Sequence, residues 1–186
     1  MVYQIGGAPV DFVLGCDQGP SVDGNVRGRL NQPEWLRTAF HDMATADVAA
    51  GTGGLDASIA FELDRPENKG RAIPDALSFF REFQSPHVSL SDLIALSALQ
   101  SVQVCSNPPV VVPFRAGRLD ATEAGPPGVP EPHQKLTEHT AMFKKAGFNE
   151  TEMIALVACG HSMGGVHGSD FPEIVPTIND PVRCVP

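Results

Sequence analysis

Apolar residues recur at helical spacing in five stretches of this chain, and between them the pattern lapses into segments rich in glycine and proline. In the first stretch Trp35, Leu36, Ala39, Phe40 and Met43 form a stripe along one face. Asn31 stands where an N-cap is needed, Pro33 suits the first turn, and Glu34 completes an Asn-x-x-Glu capping pattern. The spacing predicts a helix over 32–46. The same reasoning predicts helices near 72–84, 89–104, 133–146 and 150–161, with the clearest periodicity from Leu90 and Leu136 onward. Asn149 or Thr151 caps the last of these, and the glycines between 160 and 165 end it. With little or no alternating pattern to support a sheet, the expected fold class is all-α.

Composition refines this picture. The 18 glycines and 17 prolines predict long, structured loops joining short helices, the stiffest being Gly125-Pro126-Pro127-Gly128-Val129-Pro130-Glu131-Pro132. At 186 residues, with 42% hydrophobic and 19% charged residues, the chain suits one globular domain, 1–186. A net charge of -9 with only 13 lysines and arginines argues against nucleic acid and anionic membrane surfaces as partners. No run of 18 apolar residues is present to span a membrane, and the start of the chain lacks the pattern of a signal peptide. Cys16, Cys105, Cys159 and Cys184 allow three disulfide pairings, and Asn149-Glu150-Thr151 is a glycosylation sequon.

Three segments carry candidate chemistry. Arg37 and His41 lie at i, i+4 on the first helix, which makes a permanent cation and a neutral base neighbours. Such a pair can move a proton between peroxide oxygens while steadying charge on the departing one, although a solvated surface pair has the same spacing. Asn68, in a turn before the next helix, offers a carboxamide oxygen that could accept from the far nitrogen of an imidazole. The loop Gly51-Thr52-Gly53-Gly54-Leu55-Asp56-Ala57-Ser58 offers hard oxygen donors suited to calcium, or an ordinary Asx-turn.

Taken in order, Arg37-x-x-Phe40-His41-Asp42, Gly54-Leu55-Asp56-Ala57-Ser58-Ile59 and Pro66-Glu67-Asn68 resemble the distal half of the haem peroxidases of plants, fungi and bacteria. Ser89 to Leu96 resembles that superfamily's central helix, Val112 to Asp120 its following loop, and Ala155 to Ser162 its proximal-ligand signature. The likeness covers roughly residues 30–170. It implies haem b as cofactor, His41 as distal acid-base, Arg37 as charge stabiliser, Asn68 as the partner of His41, Phe40 over the haem face and His161 as axial iron ligand. It further implies calcium bound by Asp42, Gly54, Asp56 and Ser58, with Ser162 a first ligand of a second calcium. Hydrogen peroxide and a small reductant, phenolic compounds included, are the implied substrates. Phenylalanine at position 40 resembles the secreted branches, and the string from Arg37 to Ser58 is most similar to fungal members. With the cysteines and the sequon, this favours a secreted glycoprotein.

Beyond His161 the likeness thins. Full members of the superfamily continue well past the proximal histidine, so the proximal part of the domain is expected to be largely missing. Neither Asp170 nor Asp180 stands where the superfamily's partner of the axial imidazole would. The alternative expectation is a haem-binding, structural or assembly protein without turnover, self-associating or covered by a partner chain. A third reading takes Gly160-His161-Ser162-Met163-Gly164 as a G-x-S-x-G nucleophile elbow after a strand over 154–158, with Ser162 attacking. An acid and then a histidine would have to follow Ser162, and His167 precedes both remaining aspartates.

Overall fold

The structure, a computed structural model, describes residues 16, 21–22, 26–27, 31–166, 170–174 and 182–183. His167, Asp180 and Cys184 lie outside the described residues, as does the start of the chain. Among the described residues five helices form, in the five predicted places: α1 Asn31–Met43, α2 Ala72–Arg81, α3 Leu90–Cys105, α4 Leu136–Lys145 and α5 Glu150–Gly160. Single 3-10 turns at Ser58–Phe61 and Pro66–Asn68 stand between α1 and α2. Among the described residues strand is confined to β1 Ser21–Val22 paired antiparallel with β2 Val26–Arg27, and β3 Gly165–Val166 paired with β4 Val182–Arg183. The fold is all-α.

α1 lies against both α2 and α3. Their shared core is filled by Ile59, Ile73, Leu77, Phe80 and Ile94, and each such side chain contributes roughly 1.5–3 kcal/mol by leaving water. Trp35 stacks on Phe79 with ring centroids 5.4 Å apart, which closes α1 onto α2. α4 and α5 pack as a second pair. Phe143 of α4 meets Phe40 at 6.1 Å, and Val48 donates to the Lys145 carbonyl at 3.1 Å, tying that pair to the end of α1.

α1 and α2 each end three residues earlier than expected, at Met43 and Arg81, and two helix starts differ for visible local reasons. Asn31 does not cap α1; it is the first helical residue, and its Oδ1 is buried without a partner. α4 begins at Leu136, three residues late, because Gln134 Oε1 accepts from the Glu131 amide at 2.8 Å and the chain turns there instead. At α5 the expected cap holds, Asn149 Oδ1 accepting from Glu152 N at 3.0 Å. Of the open disulfide pairings, Cys16 joins Cys105 at the end of α3. Cys159 is free and exposed.

Candidate active site

His41 sits in the last turn of α1, and the turn ending at Asn68 faces it. Asn68 is buried, 1% exposed, so both ends of its carboxamide require partners. Its Nδ2 donates to the Glu62 carbonyl at 2.9 Å, which leaves Oδ1 toward His41 Nδ1 at 2.8 Å. An amide oxygen only accepts, so the proton of the neutral imidazole stands on Nδ1 and the lone pair on Nε2. Burial, followed by the neighbouring Arg37 cation, pushes the pKa of His41 down to about 4, against the hydrogen bond to Asn68. The ring is therefore a free base at neutral pH.

One turn earlier, Arg37 Nη2 donates to the Lys69 carbonyl at 3.1 Å and the Glu67 carbonyl at 3.5 Å. The turn that orients His41 thus also holds the guanidinium. Burial draws the Arg37 pKa below its ordinary value, while the carboxylates of Asp170, Glu131 and Glu34 oppose that effect. Phe40 meets the His41 ring edge-on at 6.1 Å.

Asp42 points the other way, into the 54–59 loop. Its Oδ2 accepts from Ala57 N at 2.9 Å and its Oδ1 from Ile59 N at 3.0 Å. Ala57 holds φ 63, a left-handed conformation costing a non-glycine residue roughly 1 kcal/mol or more, and the Asp42 bond fixes it there. Burial pushes the Asp42 carboxyl up to about 7, with Asp56 and Glu62 adding to the rise against those two hydrogen bonds. Asp56 Oδ1 accepts from Ser58 N at 3.1 Å, while Ser58 Oγ is buried and unpartnered. Among the described residues no three histidines, cysteines or acids gather as a metal would require. A cation there would take its remaining ligands from hydroxyl and carbonyl oxygens such as Ser58 Oγ and Gly54 O.

His161 follows the last residue of α5. Its Nδ1 donates to the Val157 carbonyl at 2.7 Å, and a carbonyl again fixes the tautomer, leaving Nε2 as an unspent ligand nitrogen. Around it α5 turns apolar side chains outward, Ile154 63% and Val157 43% exposed. The nucleophile-elbow reading meets a contrary geometry: residues 154–158 are helix rather than strand, and Ser162 Oγ donates to the Cys159 carbonyl at 2.6 Å. Sequence reasoning missed Glu62 and Arg65, whose i, i+3 acid-base spacing between two turns was the available signal.

The profile of the family described as Peroxidase matches residues 23–183. A WSC domain-containing protein of Arthroderma benhamiae is 46% identical over 93% of this chain and 23% of its own length. The peroxisomal L-ascorbate peroxidase 5 of Arabidopsis thaliana is 36% identical over 85% of this chain and 56% of its own. The mitochondrial cytochrome c peroxidase of Yarrowia lipolytica is 31% identical over 73% of this chain and 41% of its own. The chain thus spans between 23% and 56% of the length of these three relatives.

Proposed function

The chain belongs to the peroxidase family, and on that premise we propose that it binds haem b and reduces hydrogen peroxide, oxidising small or phenolic reductants in one-electron steps. The observation that carries this reading is the His41–Asn68–Glu62 chain, which delivers a neutral imidazole with its lone pair on Nε2. A base poised in this way takes a proton from one peroxide oxygen and returns it to the other as the bond between them breaks. Arg37, held by the Lys69 and Glu67 carbonyls, offsets the negative charge on the departing oxygen.

His161 would hold the haem iron through its free Nε2, at the end of a helix whose outward apolar side chains a porphyrin would cover. Haem, when bound, supplies the iron that accepts the oxidising equivalents of peroxide and passes them on as single electrons. Phe40 is assigned to the haem face. Calcium is assigned to Asp42, Gly54, Asp56 and Ser58, a reading supported by the orphaned Ser58 hydroxyl beside buried carboxylates. Ser162 is the described residue that would begin a second calcium site. A secreted setting is supported by the Cys16–Cys105 disulfide.

One observation favours a second reading, haem binding without turnover: the Nδ1 proton of His161 goes to a backbone carbonyl, which strengthens a ligand less than a carboxylate does. The test is to add haem to the purified chain and follow peroxide consumption with a phenolic reductant. A Soret band with turnover supports the proposal. A band without turnover selects the second reading, and no band overturns both.

A further inference from the structure

Glu62 is 2% exposed, and a buried carboxylate needs a cation and hydrogen-bond donors around it. Arg65 Nη1 lies 3.0 Å from its Oε2, and Gly125 N donates to its Oε1 at 2.7 Å. The same guanidinium donates from Nη2 to the Gly125 carbonyl and from Nη1 to the Pro126 carbonyl, the latter at 3.2 Å. A Cβ at residue 125 would stand 2.9 Å from Ser58 Oγ and 3.1 Å from Glu62 Oε1, so glycine is required for the approach. Two segments some sixty residues apart, 62–65 and 125–126, therefore meet on one planar cation, the residue type suited to bridging several acceptors at once.

This cluster has a consequence at the site. The backbone carbonyl of Glu62 is the acceptor that turns Asn68, and Asn68 in turn holds the Nδ1 proton of His41. At its other end the proline-rich loop brings Glu131 near Arg37, and its carbonyl accepts from His139 Nε2 at 2.8 Å. We propose that Arg65 is a positioning residue for the peroxide site: by gathering Glu62 and the Gly125 and Pro126 carbonyls, it fixes the acceptor that orients Asn68 and so the tautomer of His41. The inference rests on the proposed role of His41, and its test does not depend on turnover.

The full chain, labelled with nitrogen-15 at histidine and studied without added haem so that no paramagnetic iron broadens signals, reports the His41 Nδ1 proton by NMR. In Arg65→Gln that proton should exchange with water roughly tenfold faster or more, as a lost or loosened hydrogen bond implies. Arg65→Lys, which keeps the charge but not the fork, should restore it in part. The double variant Glu62→Gln with Arg65→Gln removes the stranded charge, so it reads the same proton should Arg65→Gln alone fail to fold, and fast exchange is expected again. A slow, unshifted Nδ1 proton in either variant lacking Arg65 overturns the proposal. Slow exchange in the unaltered chain with no peroxide turnover on adding haem would sink the proposed function and leave this inference standing.

Discussion

His41 and His161 sit in opposite surroundings, and the contrast divides the molecule in two. His41 is packed among groups that come from 27 residues away in the case of Asn68, and Asn68 leans on a carbonyl whose residue is clamped to position 125. Among the described residues His161 bonds only to the carbonyl one turn back on its own helix, among outward-facing Ile154 and Val157. The distal arrangement is over-determined by buried long-range contacts, so it is fixed in the polypeptide itself. The helix before His161 shows apolar surface at Ile154 and Val157, which a haem held through the Nε2 of His161, as proposed, would cover.

The contrast orders the expected effects of substitution. His161→Ala should abolish haem retention, read as loss of the Soret band after desalting, because His161 is the proposed iron ligand. Asn68→Ala should keep the band and slow peroxide cleavage by roughly 10–100-fold, the usual effect of removing an orienting partner, measured by stopped-flow. A haem loss equal to that of His161→Ala would break the division into two sides.

The pH profile sharpens it further. The native His41 ring titrates at about 4 against an ordinary 6.5, so between those values the unfolded chain binds more protons than the folded one. Its contribution to stability is therefore fully present above pH 6.5 and is lost as pH falls through about 4. The rate of peroxide cleavage should show its acid limb near that lower value and stay level above it, since Nε2 must be free. A limb near the ordinary histidine value would mean that the distal pocket is wetter than described. The smallest effect is expected at Lys69→Ala: its ion pair with Glu173 is about half exposed on both sides, so thermal unfolding should register under about 1 kcal/mol and the peroxide rate should not change.

The helices were legible because apolar spacing and caps are local signals; Trp35 to Met43 and Asn149 with Glu152 each speak for themselves within one or two turns. Arg37, His41 and Asn68 were legible as candidates, since two share a helix face and the third stands in a marked turn. What escaped was contact between distant loops. Nothing near Asp120 announces that its carboxylate takes the amides of Leu90 and Ser91 at 2.9 and 2.8 Å, and nothing near Arg65 names Gly125 as its acceptor. The Cys16–Cys105 pairing was undecidable for the same reason, because four cysteines fix the number of pairings and only the fold selects among them.

The most direct test of the two-sided site is the visible spectrum of haem-loaded wild-type chain and of His41→Ala, each before and after one equivalent of hydrogen peroxide. Both should show a Soret band, and only the wild type should shift within the first seconds, the variant being slower by about two to four orders of magnitude. Equal shifts in the two proteins would contradict the assignment of His41 as the base that opens the peroxide bond.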